Sequence, residues 1–153
     1  MRRRIALGLL ALFLPLSTSF SQEEDRTPAV SGQDLAILRR AKELLPDEAH
    51  WNRHDDRNCP PEATTYSLFC ALHKASFEVL GAYDHRRAAL QEVRFSIEAV
   101  TKGREFEHRL MDFNNLPETN LADVQRVLDM AVEKVQARLH SAPNKSLERK
   151  REG

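Results

Sequence analysis

Between residues 63 and 80, apolar side chains fall on every side of a helical wheel: Tyr66, Leu68, Phe69, Cys70, Ala71, Leu72, Ala75, Phe77, Val79 and Leu80. A helix apolar nearly all round needs neighbours on every side, so this segment predicts a bundle with itself at the centre. Gly81 supplies the left-handed stop that helices favour. The flanking sequence supplies partners. Ser31 and Asp34 have cap-and-third-residue spacing, and Leu35, Leu38, Ala41, Leu44 and Leu45 recur at helical intervals until Pro46. A third helix opens at Asp84 and runs through Ala89, Val93, Ile97 and Val100 to Gly103, with Arg94, Glu98 and Lys102 as its solvated face. A shorter stretch over 105–113 stops at Asn114, Asn115, Leu116 and Pro117. Asn120 and Asp123 then cap a last helix with one stripe of Leu121, Val124, Val127, Leu128, Ala131, Val135 and Leu139. No strand-like alternation is sustained. The expected fold class is all-α, a small bundle of four main helices plus a short fifth, after a cleaved signal peptide.

The leader is read from Arg2, Arg3 and Arg4, the apolar run over 5–16 and the small polar stretch over 17–21. This is the three-part layout of a secretory signal peptide, with Ser19 and Ser21 at the small-residue positions, so cleavage is expected between Ser21 and Gln22. The apolar run is shorter than the roughly 20 residues a membrane span needs. The expected protein is therefore exported, periplasmic or secreted, with no transmembrane segment after processing. Residues 22–30 read as a flexible leader, 31–142 as a single helical domain and 143–153 as a disordered basic tail. The chain has 23 basic and 23 acidic residues. Removing a leader with three arginines and no acid leaves about −3, which is not the balance of a nucleic-acid binder. The tail sets Lys145, Arg149, Lys150 and Arg151 against Glu148 and Glu152, too few cations to hold a membrane surface without a second anchor.

An oxidising compartment makes Cys59 and Cys70 a candidate disulfide. Geometry leaves the bond open. If the central helix starts at Pro60 or Pro61, Cys70 lies about ten residues up a rod rising about 1.5 Å per residue, roughly 15 Å away. Bridged cysteines need Cα atoms within about 7 Å. If Thr64 or Thr65 is the cap instead, the preceding loop is free to fold back along the helix.

Two polar clusters carry the candidate chemistry. The loop over 50–59 holds His50, Trp51, His54, Asp55, Asp56 and Cys59. His50 and His54 share a face if a helical turn forms, and Cys59, Cys70 and His73 are the residues that would complete a tetrahedral metal set. The loop lacks a His-Glu-x-x-His core and a paired Cys-x-x-Cys frame, and a polar loop anchored by a buried Trp51 accounts for the same residues. The second cluster is His108, Arg109, Asp112, Asn114 and Asn115. His108 and Asp112 have the spacing of an acid and base pair, and the amides suit an oxyanion. A simple helix end explains them too, because asparagine tolerates left-handed backbone and Pro117 blocks continuation. Ser67, Ser76 and Ser96 lack a nucleophile-elbow frame, and the five glycines make no phosphate loop.

The order Trp51, then Cys70-Ala71-Leu72, then Phe113-Asn114-Asn115 with Pro117, Asn120, Asp123 and Val124 resembles a family of small, uncharacterised bacterial helical proteins, some of them exported. The resemblance runs from about residue 35 to 140 and implies a helical fold. His73 departs from it, standing where other members tend to carry a small residue. It implies no catalytic residues.

The resulting expectation is an uncharacterised exported helical protein, a non-enzymatic binding or structural accessory module. Recognition would use Trp51, His108, Asp112, Asn114 and Asn115, if the two loops meet at one end of the bundle. No cofactor is expected, and a protein partner is the partner class considered. The alternative is a metal-dependent hydrolase using the loop of His50, His54, Asp55 and Asp56 together with His108.

Overall fold

Local caps and long-range hydrogen bonds together decide where each helix begins. The structure is a computed structural model describing residues 28–141. The expected signal peptide, most of the expected leader and the expected basic tail lie outside the described residues. Helix α1 spans Gly32–Glu43, α2 Leu68–Leu80, α3 Ala88–Val100, α4 Arg109–Asn115 and α5 Leu121–Ser141. The described residues are thus all-helical, with four long helices and one short one.

Each boundary has a local cause. At α1 the Asp34 carboxylate accepts from the Ser31 amide at 2.9 Å and the Ser31 hydroxyl at 2.6 Å. At α5 the Asn120 side chain accepts from the Asp123 amide at 3.1 Å, and Asp123 accepts from the Asn120 amide at 3.3 Å. These reciprocal caps follow the sequence pattern. Gly81 ends α2 with φ +74, in the region that glycine enters without a Cβ penalty.

Helix α2 starts five residues later than its apolar pattern predicts, because Tyr66 is committed elsewhere. Its amide donates to the His50 carbonyl at 2.8 Å and its carbonyl accepts from the Asn52 amide at 2.9 Å, an isolated parallel bridge with Trp51. A backbone bonded sideways cannot also run helically, so Ser67 becomes the cap, accepting from the Cys70 amide at 3.2 Å. Cys70 then lies in the first turn of α2 and the loop before it folds back. Cys59 and Cys70 are disulfide-bonded, with Cα atoms 5.3 Å apart. Their closed loop of about a dozen residues contributes on the order of 3 kcal/mol by restricting the unfolded chain.

Helix α3 begins at Ala88 rather than Asp84. Asp84 instead makes a turn, its carboxylate accepting from the Arg86 amide at 2.9 Å. The cap comes from another helix. Asp34 Oδ1 accepts from the Ala89 amide at 3.2 Å and from Arg87 Nε at 3.1 Å, tying the starts of α1 and α3 together. Asp34 is 1% exposed. Burial acts to raise its carboxyl pKa, but the hydrogen bonds from Ser31, Arg87 and Ala89 outweigh that and hold it below the ordinary carboxylate value.

Helix α1 packs against α2, α3 and α5, α3 packs along α5, and α4 closes one end against α2 and α3. Ile37, Leu38 and Leu45, Leu68 and Leu72, Leu90, Val93 and Ile97, and Val124, Val127, Leu128 and Val135 form one core. Helix α2 does not hold the central place that its apolar pattern predicts: it packs chiefly on α1 and α4, and its Phe77 is 48% exposed. One side of α2 carries a ladder of Phe69, His73 and Phe77, with ring centroids 5.9 and 4.9 Å apart, and Tyr83 lies against it. No helix of the described residues is long and apolar enough to cross a membrane.

Candidate functional site

The two polar clusters meet at the end of the bundle closed by α4, and their deepest residues bond to each other. Trp51 Nε1 donates to Asn114 Oδ1 at 2.8 Å, and the Leu68 amide donates to the same oxygen at 3.0 Å. Asn114 Nδ2 donates to the carbonyls of Asn52 and Arg53, each at 3.1 Å. Both ends of the amide are therefore used. With Asn114 0% and Trp51 7% exposed, the pair is a latch inside the fold. Asn115 extends it, accepting from the Asp55 amide at 2.7 Å and donating to the Asp55 carbonyl at 2.8 Å. Arg53 lies over the Trp51 ring at 5.6 Å and donates to the carbonyls of Leu116 and Pro117. The loop is thereby stitched to the α4 end along its length.

The other candidates are dispersed around this latch. His50 Nδ1 pairs with Asp47 at 2.7 Å, and His54 is exposed. Asp56 accepts from the Asn58 amide at 2.9 Å. Asp55 is 6% exposed; one carboxylate oxygen accepts from the Arg57 amide at 2.8 Å and the other has no partner among the described residues. Asp112 accepts from the backbone amide of His108 at 2.8 Å, so it holds the start of α4 rather than orienting the imidazole. Cys59 and Cys70 are bonded to each other and so hold no metal. Among the described residues, no three His, Cys, Asp or Glu side chains are grouped to bind a metal ion.

A cleft of about 260 Å³ opens beside the latch. Its walls come from four places: Arg57 of the loop, Phe69 of α2, Tyr83 and His85 of the α2–α3 corner with Arg94 of α3, and Glu107, His108, Arg109, Leu110 and Met111 at and just before the start of α4. Arg57 has φ +62, in the left-handed region. The Asp55 bond to its amide pins that backbone, and its guanidinium lies 5.4 Å from the Phe69 ring centre and 3.5 Å from His108 Nε2. Arg94 Nη1 donates to the His85 carbonyl at 2.7 Å. Burial lowers the Arg94 pKa, the neighbouring Tyr83 opposes that, and the Arg109 cation reinforces it. Burial raises the Tyr83 phenol, with Arg94 and Arg57 pulling the other way. Arg109 pairs with Glu98 at 2.9 Å. Among the described residues neither Arg57 nor Arg94 has a carboxylate partner.

A model of a family of unknown function, DUF6197, matches residues 31–134. The chain belongs to the DUF6197 family. The match takes in every wall of the cleft and accords with the expectation of an uncharacterised helical family. No curated protein matches the chain, and no solved structure does.

Within this DUF6197 chain a second groove, of about 420 Å³, runs along the disulfide between Pro60, Pro61, Tyr66, His73 and Phe77. It is the larger of the two and mainly apolar. Its charged groups, Lys74 and Glu78, pair with each other at 3.5 Å, whereas the smaller cleft gathers arginines with hydrogen-bonding capacity to spare. The smaller cleft is therefore the better candidate for directed chemistry. Arg94, Tyr83 and His85 escaped the sequence reading, in which Arg94 belonged to a solvated face. Helical spacing says which residues share a face, and nothing in it announces that α4 packs there.

Proposed function

We propose that this chain is an exported, periplasmic or secreted, non-enzymatic helical module that binds a small ligand in the cleft between the loop, the α2–α3 corner and α4. One observation carries the reading: Arg57, Tyr83, Arg94, His108 and Arg109 converge from separate segments on one cavity. Trp51 and Asn114 hold the wall in place and leave recognition to the rim. Asn115 and Asp112 act likewise through backbone amides, and His108 is the member of the expected binding set that lines the cleft. The disulfide suits an oxidising compartment. The hydrolase alternative gains no support, since no three of its ligands are grouped among the described residues.

Two measurements test this. Heteronuclear NMR of the purified protein against a small-metabolite panel is expected to shift the amides of Arg57, Tyr83, His85, Arg94 and His108 together. Shifts confined to the groove around His73 and Phe77 would move the site and end this assignment. For export, the amino terminus recovered from cells expressing the full chain is expected to be Gln22; an intact Met1 in the cytoplasmic fraction refutes it.

A further inference from the structure

The cleft gathers three guanidiniums from three different elements, Arg57 of the loop, Arg94 of α3 and Arg109 of α4, and its lining sets one carboxylate, Glu107, against them. Like charges held together raise the free energy of the empty site and favour an anion that joins them. Arg109 is partly answered by Glu98. Arg57 and Arg94 are not answered by any carboxylate among the described residues. We propose that this cleft binds a phosphate group, either as inorganic phosphate or as the monoester of a small organic molecule; the inference rests on the ligand-binding reading above and names its chemistry.

Donor supply favours phosphate over a carboxylate. A guanidinium has five N–H donors in a rigid fork. Among the described residues, the side-chain nitrogens of Arg57 and Arg109 engage protein partners through Nη1 alone, with His108 for the first and with Glu98 and the Arg94 carbonyl for the second. Arg94 gives one N–H to the His85 carbonyl and lies against the Tyr83 hydroxyl. Nε and Nη2 of both Arg57 and Arg109 therefore remain free of partners among the described residues, and Tyr83 lines the same cleft. A carboxylate has two oxygens in one plane. A phosphate monoester offers three terminal oxygens in a tetrahedron and about two charges, matching donors that arrive from three directions. The cavity of about 260 Å³ is roomier than the group itself. Phe69, Leu110 and Met111 give the remaining wall an apolar surface, which suits an organic substituent on the phosphate.

Isothermal titration calorimetry and amide NMR on the purified protein test this with four probes: inorganic phosphate, phenyl phosphate, benzoate and phenol. Both phosphates are expected to bind and shift the amides of Arg57, Tyr83 and Arg94, with affinity falling as salt rises. Phenyl phosphate binding more tightly identifies a monoester as the ligand, and equal affinity identifies phosphate itself. Arg94→Gln and Arg57→Gln are each expected to weaken binding at least about tenfold, whereas Arg126→Gln, whose cation pairs with Asp123 away from the cleft, leaves it unchanged. Because Arg94 is half-buried, Arg57→Gln on the exposed loop carries the test if the first variant melts early. Undiminished phosphate binding in Arg57→Gln overturns the proposal. So does perturbation of the cleft by benzoate or phenol but by neither phosphate, an outcome that leaves the ligand-binding reading standing. If no probe here and no member of the metabolite panel moves the cleft amides, both readings fall.

Discussion

Replacing Asn114 with alanine removes one side chain and strands groups in three segments. The Trp51 indole N–H and the Leu68 amide lose their acceptor, and the carbonyls of Asn52 and Arg53 lose their donor. All four bonds lie at a residue with 0% exposure. A buried donor left unmade costs about 1–3 kcal/mol, and carbonyls, with two lone pairs, cost less. With partial relaxation the expected loss is about 3–5 kcal/mol, a large share of the 5–15 kcal/mol typical of a domain. For a domain of this size that corresponds to a midpoint drop of roughly 12–20 °C. Asn115→Ala is the internal control. It also forfeits two bonds to the loop, but they are part-buried and made by an exposed side chain, so about 1–2 kcal/mol is expected. Urea titration of the oxidised protein followed by Trp51 fluorescence and by helical circular dichroism measures both. If Asn114→Ala costs no more than Asn115→Ala, the latch is not what anchors the loop, and the argument from buried satisfaction is wrong.

Three further outcomes are expected. Replacing Cys59 and Cys70 together with alanine lowers stability by about 3 kcal/mol in urea titration, and unreduced wild type shows no free thiol to alkylation. Asp34 has a folded-state carboxyl pKa held below its ordinary 3.8, so its contribution is present in full above that value and is lost as pH falls through the lower folded value. Asp34→Asn therefore flattens the acid limb of stability against pH, and an unchanged limb refutes the assignment. Gly81→Ala meets no atom within 4 Å, so its cost of about 1 kcal/mol comes from the left-handed backbone alone and is read as a midpoint shift with unchanged cooperativity.

How much the chain revealed tracks how local each cause is. Helix α5 is legible because Asn120 and Asp123 cap each other three residues apart and its apolar stripe is uninterrupted. The start of α2 is not legible, because Tyr66 leaves the helix to pair with a backbone fifteen residues earlier. Nor is the start of α3, whose cap arrives from Asp34, 55 residues away. The disulfide stayed open in the sequence for the same reason: it depended on the first turn of α2, and that depended on Trp51. At the site, Trp51 and Asn114 were legible as partners only on the condition that two loops meet. Arg94 was read as solvated because a helical face names its members without naming what covers them.

The latch and the cleft are best understood as one device. Arg57 occupies left-handed backbone, which costs a non-glycine residue about 1–2 kcal/mol, and it faces two other guanidiniums. A loop free to relax would escape both penalties by swinging away. It is not free. Asp55 holds the Arg57 amide, Asn115 holds Asp55, Asn114 holds Trp51 and the two residues after it, and the disulfide fixes Cys59 just beyond. The stabilisation gathered in the buried latch offsets the strain and repulsion left at the rim. That division explains why the residues most conspicuous in the sequence are structural, while the ones with bonding capacity to spare are the arginines placed around them.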